Sequence, residues 1–584
     1  MGEVETALQA ISNGSTADQV ESRTLDFKRE GRSRQDVMKD LAEAAACFAN
    51  SQGGAVVVGV MDRVGRDEAF EGTRLDADEV LRRIYQITQP ALTVQVREIN
   101  YAAKRLLVVD VPRSPDVHQV DNRATRRIGT SCEPMSAIQI AGLLAERRGE
   151  DWSAEDTGRP LSDVSPVAME RARAMLRTSP DPTRRPYASE TDEGLLRVLG
   201  LTSPDGTLIR AGELLLCEPQ AVAPTIVYQY RRTPAGEPVV SRPDGPLLMA
   251  LLRTLEFVAA RLDTTPVNLP GGQQVQLADL PEAAIREGIA NAAIHRDYRV
   301  VGPVRVEHAP TRLAITSPGP LVQGVTIDNI LTTSSRPRNA RLASATRMLG
   351  LAEEAGVGVD RMYREMARAG HVPPHYEETV DQVRVTLLGG APNAHLTRYV
   401  ATLPTVEADD ADAMLILFSL LSKRTVTAHQ LSSLLQKSEV EVEFVLRRLV
   451  ADPPSMLEPT RETVRRQHPN YRLREHVISA LGPAVTYRRR TTDEYDRKVV
   501  QLVRESGQIN ARIVKIALDL DSVSASRVLS DLVARAILVK TSEAARGPSV
   551  TYGPGRAFPV AERKPRARKK GTETSADDPE AQLF

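Results

Sequence analysis

The stretch VESRTLDFKREGRSRQDVMKDLAEAAACFANSQGGAVVVGVMD (20–62) decides the fold class. VESRTLDFK (20–28) reads as a short strand segment carrying Glu21 and Asp26, with Lys28 beside them. Val37, Leu41, Ala44, Ala45 and Phe48 then recur at helical spacing. NSQGG (50–54) ends that helix and turns the chain into AVVVGV (55–60), a buried strand running into Met61 and Asp62. A helix packed between two strands brings their ends together, so Glu21, Asp26 and Asp62 are expected to converge. Three carboxylates at one point repel unless a divalent cation lies between them. Hard oxygen ligands suit Mg²⁺ or Mn²⁺, and such a site activates water against a phosphodiester. The same residues equally suit surface pairs with Lys28 and Arg29, with Asp62 merely ending a strand.

Outward from this stretch, 584 residues are three or four times a domain of roughly 150 residues. Lys+Arg and Asp+Glu number 76 each, so the formal net charge is zero. That excludes a uniformly basic nucleic-acid coat and an acidic solvating chain, but not local patches. With 41% hydrophobic and only 4% aromatic residues, the cores must be built from Leu, Val, Ile and Ala. Cys47, Cys132 and Cys217 are odd in number and form no CxxC, which argues against a disulfide framework or a Cys-type zinc site and fits a reducing cytoplasm. No apolar run approaches the roughly 18 residues of a membrane span. A cytoplasmic, unanchored protein is expected.

The expected organisation is an α/β multidomain chain. It comprises an α/β domain at 1–150, a linker at 151–189, a second α/β domain at 190–395, two mostly helical domains at 405–480 and 490–558, and a charged tail at 559–584. The helical pair is an internal duplication: MLILFSLL… (414–451) and VVQLVRES… (499–538) each read as helix, turn, short helix, turn and longer helix, then a hairpin-like stretch. Three helices and a β wing make a winged helix-turn-helix, whose third helix can enter a major groove. The reading helices would be 441–449 and 522–534, with Arg447, Arg448 and Arg527 as contacts. Such domains also serve purely in protein contacts. The tail run RKPRARKK (563–570) can neutralise phosphates without reading sequence, or lie inert in solvent.

A second chemistry-bearing stretch is LPEAAIREGIANAAIHRDYRV (280–300). Glu287 and Asn291 are i,i+4 neighbours on one helical face, and His295 extends it. A carboxylate there can orient water while the carboxamide oxygen faces Mg²⁺ at a nucleotide phosphate. Strands follow at 304–308 and 312–319, and the turn Pro318-Gly319-Pro320 lets backbone approach a ligand. Gly356 and Gly358 precede a helix whose N-terminus suits phosphate.

ESxxLDFK, FANSxGGxVVVGV and RRIGTSCEPMS (126–136) together resemble the Schlafen-type AlbA_2 domain over roughly 15–145. The family is widespread in bacterial regulators and is taken as a nucleic-acid-binding module. In some eukaryotic members three acidic residues make a metal-dependent endoribonuclease acting on tRNA and rRNA. The resemblance implies that role for Glu21, Asp26 and Asp62, with Asp where the first strand usually has Glu, and nucleic-acid contact by Lys28, Arg123, Arg126 and Arg127. EGIANAAIHRDY, ITSPGPL, the TTSSRPRNARLA loop and EEAGVGVDRM resemble the GHKL-like ATPase domain of the RecG-like C-terminal type, over roughly 190–390. This implies an α/β sandwich binding ATP with Mg²⁺, with Glu287 as water-orienting base, Asn291 as metal ligand, Gly319 at the base-side turn, and Gly356 and Gly358 in the phosphate loop. The usual DxGxG is here SPGP. A degenerate fold serving as a dimerisation or sensor module is the alternative, and the absence of GxxxxGK[ST] tells against a helicase.

The whole reads as a cytoplasmic DNA-binding transcriptional regulator controlled by ATP or a related nucleotide. RNA is a possible ligand, and a homo-oligomer is expected. The alternative is a metal-dependent endoribonuclease of stress or phage defence, and a third reading is a weak GHKL-like ATPase whose turnover drives conformational change.

Overall fold

In the first module the order is α1 (Glu3–Ser12), β1 (Leu25–Lys28), α2 (Arg34–Ala49), β2 (Gly54–Val58), α3 (Ala77–Ile87), β3 (Gln95–Tyr101), β4 (Lys104–Val111), the hairpin β5 (Thr125–Ile128) and β6 (Ser131–Pro134), and α4 (Ala137–Arg147). This is a computed structural model describing residues 2–31, 33–220, 224–233, 236–334, 336–352, 358–460, 462–489, 492–518, 520, 522–542 and 550–559. The Ser33 hydroxyl accepts from Asp36 N and starts α2, whose Ala-rich face is buried along its length. β1 and β2 pair in parallel with α2 as their crossover, and the sheet order is β1-β2-β4-β3. Alternation along β2 and β4 sends Val56, Val58, Leu107 and Val109 to the α2 side, and Val57, Leu106 and Val108 to the α1 side. Leu25 and Phe27 join the α1 side, which turns Asp26 and Lys28 the other way. At Gly53 (φ +81) a Cβ would meet Val111 O at 2.7 Å, so the turn between α2 and β2 admits only glycine there.

Cys47 and Cys132 are joined in a disulfide, and Cys217 alone is free and buried. The expectation of three reduced thiols is therefore corrected. Eighty-five residues of separation hid that the last turn of α2 lies beside the β5–β6 hairpin, with Cα atoms 6.0 Å apart.

The second module is built on a six-stranded sheet. Its elements are α5 (Pro166–Arg177), β7 (Ile226–Tyr230), β8 (Val239–Ser241), α6 (Leu247–Ala259), α7 (Glu282–Ile294), β9 (Val304–Ala309), β10 (Arg312–Pro318), α8 (Ala340–Met348), α9 (Gly358–Ala369), β11 (His375–Glu378) and β12 (Gln382–Leu388). The order is β8-β7-β9-β10-β12-β11, with β7 and β9 the parallel pair. One core runs from Ala168 and Leu176 on α5 to Leu387 on β12. The expected linker 151–189 is corrected accordingly: α5 belongs to this core, and Trp152 stacks on Tyr298 with ring centroids 5.0 Å apart. Pro punctuation there marks turns within a packed segment, not a tether.

The third module has α10 (Ala411–Ser422), α11 (Ala428–Leu435), α12 (Glu439–Val450) and the hairpin β13 (Leu457–Pro459) with β14 (Tyr471–Leu473), and Val426 bridges to Tyr471. These three modules form one compact unit, Met1–Val485. The second unit, Thr486–Phe584, has α13 (Thr492–Ser506), β15 (Ile509–Asn510), α14 (Ala511–Leu518), α15 (Ser522–Ala534), β16 (Leu538–Lys540) and β17 (Thr551–Pro554), with sheet order β15-β17-β16. Three helices and a small antiparallel sheet thus occur twice in the same order. The basic run at 563–570 lies outside the described residues. Among the described residues no helix is long and apolar enough to cross a membrane.

Candidate functional site

Two cavities collect the residues singled out from the sequence. The first, about 730 Å³, opens beside β1 and the C-terminal half of α2, and Glu21, Asp26 and Asp62 all line it. Asp26 is buried and already neutralised, with Lys28 Nζ at 2.8 Å and Arg127 Nη2 at 3.7 Å. Burial, and then the like charge of Asp26, push the Glu21 carboxyl up to about 7, against the Phe27 N–H that donates to it. Asp62 is exposed. Among the described residues no three Asp, Glu, His or Cys side chains are grouped so as to hold a metal ion. The expected Mg²⁺ or Mn²⁺ at Glu21, Asp26 and Asp62 does not fit these positions, because the central carboxylate is committed to two cations and the third stands in solvent. The cavity instead mixes signs, with Arg63, Arg123 and Arg127 on its wall.

Of the four expected cationic contacts, Arg123 is exposed and Lys28 partly so. Arg127 is buried, lies over the Phe48 ring at 4.8 Å, and donates to Ser22 O and Leu25 O at 3.0 and 3.2 Å. Arg126 is also buried and donates to Leu321 O in the second module at 3.0 Å. Both guanidiniums serve the fold. The NSxGG turn works similarly: Asn50 donates to His118 O and Thr125 O at 2.7 and 3.0 Å, and Ser51 Oγ accepts from Arg127 N at 2.7 Å. Sequence reading gave Asn50 and Ser51 only the ending of the helix and the turn, whereas they also tie α2 to the hairpin.

The second cavity, about 170 Å³, lies between α7 and the end of β10. Glu287, Asn291 and His295 stand on its wall at i, i+4 and i+8, as the spacing predicted. Glu287 is 3% exposed, and Oε2 has no hydrogen-bond partner among the described residues. Burial raises its carboxyl above the ordinary value, offset by the Asn291 hydrogen bond and the charges of Arg286 and Arg361. Burial, with Arg338 nearby, lowers the His295 ring to about 4. Gly319 (φ +97) lines the cavity, and a Cβ there would meet Arg338 Nη1 at 2.7 Å and Asp297 Cβ at 2.8 Å. Gly358 begins α9 directly against Glu287, where a Cβ would overlap the carboxylate. Its place is thus beside the buried acid. Gly356 lies outside the described residues.

The RPRNA segment of the long loop, not assigned a role from sequence, closes this end. Arg338 donates to His295 O and Pro320 O at 2.9 and 2.8 Å, and Asn339 donates to Ile294 O and Arg296 O at 2.7 and 2.9 Å. The last carbonyls of α7 are thereby satisfied. Arg336 and Arg347 add cations to the cavity wall, and Ile315, Val383, Val385 and Tyr376 supply an apolar side. Further side chains tie the modules along this edge, beside Arg126. Arg23 reaches Glu378 at 3.0 Å and Asp328 at 3.5 Å, Gln323 Nε2 donates to Ser51 O at 3.2 Å, and Glu146 accepts from Gln323 N.

On the expected reading helices, Arg447 pairs with Glu443 at 3.0 Å and Arg448 pairs with Asp410. The first turn of α12 carries Glu439 and Glu441, and Val440 and Phe444 are exposed. Arg527 on α15 is exposed, and the first turn of that helix has no acid.

Comparison with known proteins follows the same division. The family model described as "Schlafen, AlbA_2" matches residues 21–136, and that described as "Putative ATP-dependent DNA helicase recG C-terminal" matches 302–387. No curated protein matches the chain. The crystal structure of the DIP2311 protein from Corynebacterium diphtheriae is similar at 26% identity and a TM-score of 0.50, covering 82% of this chain and 97% of that one. The chain thus joins a Schlafen AlbA_2 domain to an ATPase-type domain of the RecG C-terminal kind.

Proposed function

We propose that the chain is a nucleic-acid-binding regulator, acting on transcription, whose second module binds ATP with Mg²⁺ and thereby controls nucleic-acid binding. The observation that carries this is the Glu287–Asn291–His295 face, closed over by Gly319 and Gly358, with a buried carboxylate oxygen that has no hydrogen-bond partner among the described residues. An orphaned buried acceptor costs stability unless a ligand group or ordered water engages it. The donor set fits the group: an acid and a carboxamide, wall cations for phosphate, and an apolar side for a base. Asn291 would hold the metal through its amide oxygen, and Glu287 would hold and orient a water. Bound ATP supplies a phosphoanhydride open to attack.

For nucleic acid, the doubled order of three helices and a small sheet supports the winged helix-turn-helix reading. The acid-rich first turn of α12 repels phosphate, so α15 with Arg527 is the better groove helix, and Arg123 at the first cavity a phosphate contact. Mixed charge and committed Asp26 give no reason to extend the reading to metal-dependent cleavage by Glu21, Asp26 and Asp62.

Titration calorimetry with ATP and Mg²⁺ tests the first half: Asn291→Ala weakens binding tenfold or more, about 1.4 kcal/mol. Gel shifts with genomic fragments, with and without ATP, test the second. Arg527→Ala lowers affinity and flattens the salt slope by about one phosphate contact. No salt-sensitive binding in either nucleotide state would sink the proposal.

A further inference from the structure

Gln436 closes α11 in the left-handed region, at φ +54 and ψ +37. That conformation is the ordinary place of glycine at a helix C-terminus, because a Cβ is disfavoured there. A long side chain held at such a backbone position points to a use for that side chain. Here the use is visible. Gln436 Oε1 accepts from Leu331 N at 2.8 Å, and its Nε2 donates to Ile327 O at 2.7 Å. The carboxamide therefore clamps both ends of one short backbone segment. Ile330 within it, with Val325, Thr333 and Ser334 on either side, lines the cavity of Glu287.

The third module grips a second wall of the same cavity. α9, which begins at Gly358 against the Glu287 carboxylate, bonds to the approach of α10 through Arg364 Nη1, which donates to Asp409 O at 2.9 Å. Lys437, the neighbour of Gln436, pairs with Asp412 on α10. The turn between α11 and α12 is thus fixed at once to the cavity wall and to the helix that braces α9.

We infer that Gln436 is a positioning residue that holds the 327–331 wall and couples occupancy of the cavity to the α10–α12 module. This rests on the nucleotide reading only for the identity of the occupant. A ligand that moves the wall must stretch or release the clamp, and by linkage the state of the module sets ligand affinity by the same factor.

The test uses the full chain and Gln436→Gly, which removes the carboxamide while suiting the backbone conformation, so relief at the positive φ offsets the lost hydrogen bonds and the variant stays folded. Without ligand, hydrogen exchange at the Leu331 amide speeds roughly fivefold, the factor for loss of one ordinary hydrogen bond. With ATP and Mg²⁺, wild type gains protection in 325–334 and in 411–450, whereas Gln436→Gly gains it in 325–334 alone. Unchanged Leu331 exchange in the ligand-free variant overturns the clamp. Protection of 411–450 that persists in the variant overturns the coupling. If ATP protects neither region of wild type, the nucleotide reading fails, and the ligand-free comparison still decides the role of Gln436.

Discussion

Glu287 is an acid kept from water in a cavity where one of its oxygens has no hydrogen-bond partner among the described residues. Its folded carboxyl titrates above the unfolded value of about 4.3, so the folded chain holds that proton more tightly than the unfolded one. The associated stability is complete below the unfolded value and is lost as pH rises through the folded one. Glu287→Gln therefore raises the unfolding free energy at pH 8 by on the order of 1–3 kcal/mol, and the gain vanishes near pH 4. Urea titrations at the two values check this. A gain equal at both would show that charge is not what the site stores. Gly358→Ala inserts a methyl into the same carboxylate. It costs about 1–3 kcal/mol by overpacking and weakens ATP binding, read by calorimetry.

The βαβ unit of 24–58 was legible in the sequence because each element announces itself locally: helical spacing from Val37 to Phe48, a Gly pair, then a continuous valine run. The face of α7 was legible for the same reason, since i, i+4, i+8 is a property of one helix. The Cys47–Cys132 bond, the interior roles of Arg126 and Arg127 and the packing of α5 were not, because each depends on which distant segments meet. An arginine's spacing does not say whether it meets phosphate or a carbonyl. The disulfide pins the β5–β6 hairpin, one wall of the mixed-charge cavity, to the end of α2. Cys132→Ser lowers stability by about 2–4 kcal/mol and speeds hydrogen exchange across 125–134 relative to the β2–β4 ladder. Equal exchange in both proteins would show that the hairpin is held by Asn50 and Ser51 alone.

At the scale of the whole molecule, the zero net charge is a sum over modules of different chemistry. The division into Met1–Val485 and Thr486–Phe584 predicts two calorimetric transitions, of which ATP with Mg²⁺ raises only that of the first unit. A single transition shifted as a whole would contradict the division. Within the first unit, Arg126 spends its guanidinium on Leu321 O, and Gln323 joins Ser51 O and Glu146 across the seam. The segment most recognisable by sequence is therefore a poor unit of inheritance. A recombination event that transplants residues 1–150 into another gene carries along a cut face of buried cations and open carbonyls, and its product is expected in inclusion bodies, while 1–485 stays in the supernatant.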